Sequence, residues 1–193
     1  MINHEHNFIF IHIPRTGGTS IEYTFTKKTE CEAKHTYPLG WKKSYPQQWE
    51  SYFKFTSVRN PWDRVVSQWA IDKHWYGNKF KKTFKEFVKY PQGFPLQPQL
   101  WFLTEPNRVK YQDIIKYVED NINYIIRFEN LHNDFSKVCE LVGSPKHKLP
   151  KKYHSQEVRK SRPYQEYYDT ETKDIVSRIY DIDIQYFNYK FNE

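Results

Sequence analysis

The chain has 193 residues, a length that suits one compact domain, and a single domain over 1–193 is expected. Its 30 Lys+Arg against 23 Asp+Glu leave a net charge of +7, which calls for an anionic partner. A mean hydropathy of −0.92 excludes a transmembrane helix, 6 Trp, 16 Tyr and 14 Phe exclude global disorder, and two cysteines, Cys31 and Cys139, exclude a disulfide scaffold and a cysteine-built zinc site.

The chain opens without a cationic stretch, and its first apolar run, Phe8 to Ile13, is too short for a secretory signal. With two thiols that fit a reducing compartment, a soluble, cytoplasmic protein is expected. The run itself is continuous in aromatic and β-branched residues, as in a strand buried on both faces of a parallel sheet. Pro14 ends it. Gly17 and Gly18 follow, and Thr19 to Lys28 read as a helix, with Ile21 and Phe25 one turn apart.

Tyr52 to Val58 is the second strand. It runs into Asn60, a good N-cap, Pro61, suited to the first helical position, and Asp63, an acid in the first turn. Trp62, Val65, Val66 and Trp69 form one apolar stripe of the helix that follows. Helical pieces are expected around Phe84–Tyr90, Pro98–Thr104 and Gln112–Val118. Tyr124 to Phe128 is the third strand, and Leu131 to Val142 a helix closed by Gly143. Residues 144–168 read as a long basic, aromatic loop, and a last helix spans about Thr170 to Tyr180. Strands alternating with helices predict a three-layer α/β fold with a mainly parallel sheet.

Two constellations carry chemistry. In Pro14-Arg15-Thr16-Gly17-Gly18-Thr19-Ser20, a Gly-containing turn opens a helix. Backbone N–H groups and the positive helix end there suit a phosphate. Thr16, Thr19 and Ser20 add hydroxyls, and Arg15 adds full charge. The loop lacks the Gly-Lys-Ser/Thr ending of a Walker A motif. In Arg59-Asn60-Pro61-Trp62-Asp63-Arg64-Val65-Val66-Ser67, Arg59 and Ser67 suit a second phosphate. Two anion sites at strand carboxyl ends point to a ligand with two separated phosphates.

These two motifs together resemble the donor-binding segments of the sulfotransferases that use 3′-phosphoadenosine 5′-phosphosulfate (PAPS). The similarity is to the carbohydrate branch, of the heparan 2-O and chondroitin type, with its small bacterial and viral relatives. Residues 8–20 resemble the 5′-phosphosulfate loop and residues 55–67 the 3′-phosphate motif. Ile126 to Leu131, Tyr167 to Asp169 and Asp183 to Tyr189 resemble later family segments.

The resemblance implies a P-loop-like fold, PAPS as donor, the 3′,5′-bisphosphate (PAP) as product, and sulfuryl transfer to an acceptor hydroxyl, with a carbohydrate expected. Arg15, Thr16, Gly17, Gly18, Thr19 and Ser20 would hold the 5′-phosphate, and Arg59 and Ser67 the 3′-phosphate. Lys160 and Arg162, in the basic stretch from Arg159 to Tyr164, would close over the nucleotide. Arg15 stands where the family usually has lysine, and a planar fork is not equivalent to a point charge.

In-line transfer needs fixed cations for the leaving phosphate oxygen, here Arg15 and the loop, and a general base for the acceptor proton. His35 is the candidate base. His12 is the runner-up, and Glu22, Glu30 and Glu32 are outside candidates. No metal is expected, because a sulfuryl group carries less charge than a phosphoryl group. The acceptor side is expected to be a small molecule or glycan, with stacking from Tyr37, Trp41, Tyr45, Trp75 and Tyr76. The alternatives are an atypical P-loop kinase, which needs Mg²⁺ and a Walker lysine, and a non-catalytic nucleotide- or nucleic-acid-binding protein. A nucleic-acid binder would spread its basic residues over one face, whereas Arg15 and Arg59 sit at strand-to-helix turns, so no nucleic acid is expected.

Overall fold

A computed structural model describes residues 1–28, 35–90, 97–104, 110–150, 159 and 162–192. The chain divides into two compact units. A sheet unit comprises Met1–Val58 and Gln99–Lys152, and a helical unit comprises Arg59–Pro98 and Tyr153–Glu193.

Among the described residues, the sheet unit holds four strands in the order β1 (Ile2–Asn3), β2 (Phe8–Ile11), β3 (Phe53–Val58), β4 (Tyr124–Arg127). β1 pairs antiparallel with β2, while β2–β3 and β3–β4 are parallel, with Phe10 opposite Phe55 and Ser57 opposite Ile126. The carboxyl ends of β2, β3 and β4 therefore share one edge. The fold is mixed α/β with a mostly parallel sheet, as the continuous apolar run at 8–13 predicts. All four residues of β2 are buried.

Helices in this unit are α1 (Gly18–Thr26), α2 (Pro38–Ser44) and α3 (Pro46–Ser51), followed later in the chain by two more. The core packs Phe8, Phe10, Ile21, Phe55, Ile126, Phe135, Val138 and Leu149, with the free thiol of Cys139 among them. Cys31 lies outside the described residues.

In the helical unit, α4 (Pro61–Tyr76) is capped as the sequence predicts: the Asn60 side chain accepts from the Trp62 N–H at 3.1 Å, and Pro61 takes the first position. The stripe of Trp62, Val65, Val66 and Trp69 is buried. The chain then forms α5 (Phe84–Lys89). In the sheet unit, α6 (Tyr111–Asn121) and α7 (Leu131–Leu141) follow. Gly143, at φ +65°, terminates α7, and the Ser144 N–H returns to Cys139 O.

The last helices are α8 (Thr170–Ile179) and α9 (Asp181–Phe187). Sequence patterning predicts α8 but not α9, nor the two short helices led by Pro38 and Pro46, which span fewer than eight residues each. Phe191 takes edge contacts from Trp62, Tyr164 and Tyr168. Burial pushes the Tyr180 phenol up to about 12, and Arg64 donates to its oxygen at 3.2 Å. Among the described residues no helix is long and apolar enough to cross a membrane.

Candidate active site

The turn between β2 and α1 bends through two left-handed residues. Arg15 has φ +69° and Gly17 has φ +88°, while Thr16 between them does not. A bulky side chain in that region is strained by about 1–2 kcal/mol, so Arg15 is held there by its surroundings. Burial alternates along the loop: Arg15, Gly17 and Thr19 reach solvent in part, and Thr16, Gly18 and Ser20 are buried.

The glycines have steric reasons as well as conformational ones. A Cβ on Gly17 would stand 3.0 Å from Leu131 Cδ2 and 3.2 Å from Phe128 Cδ2. One on Gly18 would stand 2.3 Å from His12 Cδ2. The Thr16 hydroxyl donates to Ile13 O at 2.8 Å and lies 2.8 Å from Ser57 Oγ. It ties the loop to β3. The Ser20 N–H is engaged with Gly17 O at 3.0 Å, in a tightened first turn.

Three ionisable residues converge beside this loop. His12 Nδ1 lies 3.0 Å from Glu22 Oε2. His35 Nδ1 lies 3.0 Å from the backbone oxygen of His12, and the two rings are 4.4 Å apart. A carbonyl only accepts, so His35 Nδ1 carries the proton and the lone pair of the neutral ring is at Nε2. The sequence names all three residues; the structure adds that they touch. Glu30 and Glu32 lie outside the described residues.

In the helical unit, Arg59 is 6% exposed and donates through Nε to Asp63 Oδ2 at 2.8 Å. Arg159 Nη1 donates to the other oxygen, Oδ1, at 2.7 Å. One carboxylate thus holds two guanidiniums, leaving one net positive charge. Burial alone would raise the Asp63 pKa, but Arg59 and Arg159 outweigh it and hold the carboxyl below its ordinary value. Ser67 is buried on α4.

Arg159 is the residue that the sequence reading passes over in favour of its neighbours. Arg162 is half exposed and paired with Glu166 at 2.9 Å, with its guanidinium 4.7 Å from the centre of the Tyr167 ring. Lys160 lies outside the described residues. A signal was present in the sequence: Asp63 in the first turn of α4 has room for a second cation besides Arg59.

Of the aromatic acceptor candidates, Trp41 is 3% exposed and belongs to the core of the sheet unit. Tyr37 stacks parallel on Phe102 at 5.7 Å, and Tyr45 tilts against Trp41. Trp75 and Tyr76 are more than half exposed. Among the described residues no group of three His, Cys, Asp or Glu could hold a metal ion.

An uncharacterized protein of Archaeoglobus fulgidus is 31% identical over 96 residues, which are 50% of this chain and 72% of that protein. No solved structure matches. The family model described as the sulfotransferase family matches residues 1–190, through both the loop at 14–20 and the arginine cluster on Asp63. The chain belongs to the sulfotransferase family and is an enzyme of sulfuryl transfer.

Proposed function

We propose that the protein moves a sulfuryl group from PAPS to an acceptor hydroxyl of a carbohydrate, on a P-loop-like strand–turn–helix. The observation that supports this most is the turn with left-handed backbone at Arg15 and Gly17 leading into the N-terminus of α1. Such a turn aims backbone N–H groups at an anion and adds the positive end of a nine-residue helix.

Arg15 and the half-exposed part of the loop take the 5′-phosphosulfate. Arg59 and Arg159, with Ser67, take the 3′-phosphate, and the stretch holding Lys160 and Arg162 closes over the nucleotide. The donor supplies the sulfuryl group. His35 Nε2 accepts the acceptor hydroxyl proton as the new sulfur–oxygen bond forms. Arg15 and the loop N–H groups stabilise the charge that builds on the departing phosphate oxygen. Nothing in this division of labour calls for a metal ion or a nucleic acid.

The test is PAP release from PAPS in the presence of uronate-containing oligosaccharides. Arg59→Ala weakens PAP binding by about 30-fold or more, since it removes a nearly buried charge-assisted donor. His35→Ala leaves PAP binding intact and lowers turnover by about 10²–10⁴-fold, the usual contribution of a general base. Undiminished PAP affinity in the first variant, or full turnover in the second, contradicts the corresponding assignment.

A further inference from the structure

Glu22 and His12 are buried ionisable groups to which the transfer chemistry above gives no role. Glu22 is 0% exposed and His12 4%. Taking a carboxylate and an imidazole out of water costs several kcal/mol per ion unless they pair closely. An apolar pair would fill the same space without that penalty. Here they pair, Oε2 to Nδ1, at 3.0 Å.

The His12 ring is clamped on several sides. Phe10 stacks on it with ring centres 5.6 Å apart. Gly18 of the phosphate loop lies so close that a Cβ there would be 2.4 Å from Nε2. His35 lies on a further side, at 4.4 Å, and is also held by the His12 backbone oxygen. One imidazole thus touches both the loop and the residue read as the base.

We propose that Glu22 is a positioning residue acting through His12: its carboxylate keeps Nδ1 protonated and locks the ring against Gly18 and His35. The loop and the base then hold one mutual geometry. With Nδ1 facing a Glu22 oxygen at 3.0 Å, a protonated Nδ1 is the state of the ring that matches an ionised carboxylate in charge. A carboxylate beside a histidine nitrogen orients the ring in other sites where it must not rotate. The inference rests on the reading of His35 as the base.

The experiment compares the whole chain with Glu22→Gln and Glu22→Asp. PAP binding is read by titration, turnover by PAP release from PAPS, and the imidazole nitrogens by ¹⁵N NMR. Glu22→Gln binds PAP within about threefold of the original chain and loses kcat by about 10–100-fold with KM for PAPS unchanged, as for other groups that orient a histidine. Glu22→Asp recovers part of that loss.

In the unsubstituted chain, the His12 signals show a protonated Nδ1; a bare Nδ1 overturns the proposal even if neither variant folds. Unchanged kcat in Glu22→Gln overturns it. So does a loss of PAP binding that parallels the loss of turnover, which marks support of the loop alone. If the unsubstituted chain itself fails to bind PAP, the donor assignment falls, and this inference with it.

Discussion

Gly18 is small because an imidazole lies against it. A methyl group there would meet His12 at 2.3 Å, and that ring is held by Glu22, Phe10 and His35. So held, the ring does not give way as the end of a flexible side chain would. Gly18→Ala is therefore expected to destabilise the protein by about 1–3 kcal/mol, the range for overpacking a tight core. It also weakens PAP binding, because the loop shifts. Urea denaturation and PAP titration check the two effects; a variant as stable and as tight-binding as the original contradicts the packing account. The sequence shows the glycines but gives them one reason, access for a phosphate. Their second reason lies in contacts with His12, Phe128 and Leu131, the last two over a hundred positions away. The Thr16 hydroxyl likewise has a partner, Ser57, 41 residues distant, which no local pattern shows.

At the scale of elements, α4 shows what local pattern encodes. Asn60, Pro61 and Asp63 mark its start, and the apolar stripe marks its buried face; both are read directly from spacing. The same pattern does not reveal that Asp63 joins two cationic segments. Arg59 and Arg159 hold the Asp63 carboxyl below its ordinary value, against the upward push of burial. Since the folded pKa lies below the unfolded value of about 3.9, the ionised carboxylate stabilises the fold above roughly pH 4. That contribution disappears as pH falls through the folded value. Asp63→Asn removes the charge at every pH. It is expected to cost about 3 kcal/mol near neutrality, as for breaking one partner of a buried pair, and to flatten the fall in stability below pH 4. Thermal melts of both proteins from pH 7 to pH 3 check this; parallel curves contradict it. The elements missed in the sequence are those without periodicity: the two-residue β1, the short helices led by Pro38 and Pro46, and α9. They are too short to carry a period: β1 forms by pairing Ile2 and Asn3 with Ile9 and Phe8, and each of the short helices spans fewer than two full turns.

Over the whole molecule, the family match runs through both compact units. Each unit carries its own set of candidate residues: the loop at 14–20 with His12, Glu22 and His35 in the sheet unit, and Arg59, Asp63, Ser67 and Arg159 in the helical unit. The mostly parallel sheet and both motifs are legible in the sequence because each is a continuous segment. The triad of Glu22, His12 and His35 and the cluster on Asp63 are not, because each needs side chains from separate segments to meet. PAPS as donor is tested by a thermal-shift titration with PAP, with ATP plus Mg²⁺ as the control. A ligand confined to the folded state stabilises it by about 2.7 kcal/mol at a hundredfold excess over Kd, which for a chain of this size raises Tm by roughly 5–10 °C. PAP is expected to give that shift and ATP with Mg²⁺ none, with the PAP shift lost in Arg59→Ala. A shift with ATP and Mg²⁺ alone, or none with either, contradicts the assignment of PAPS as donor.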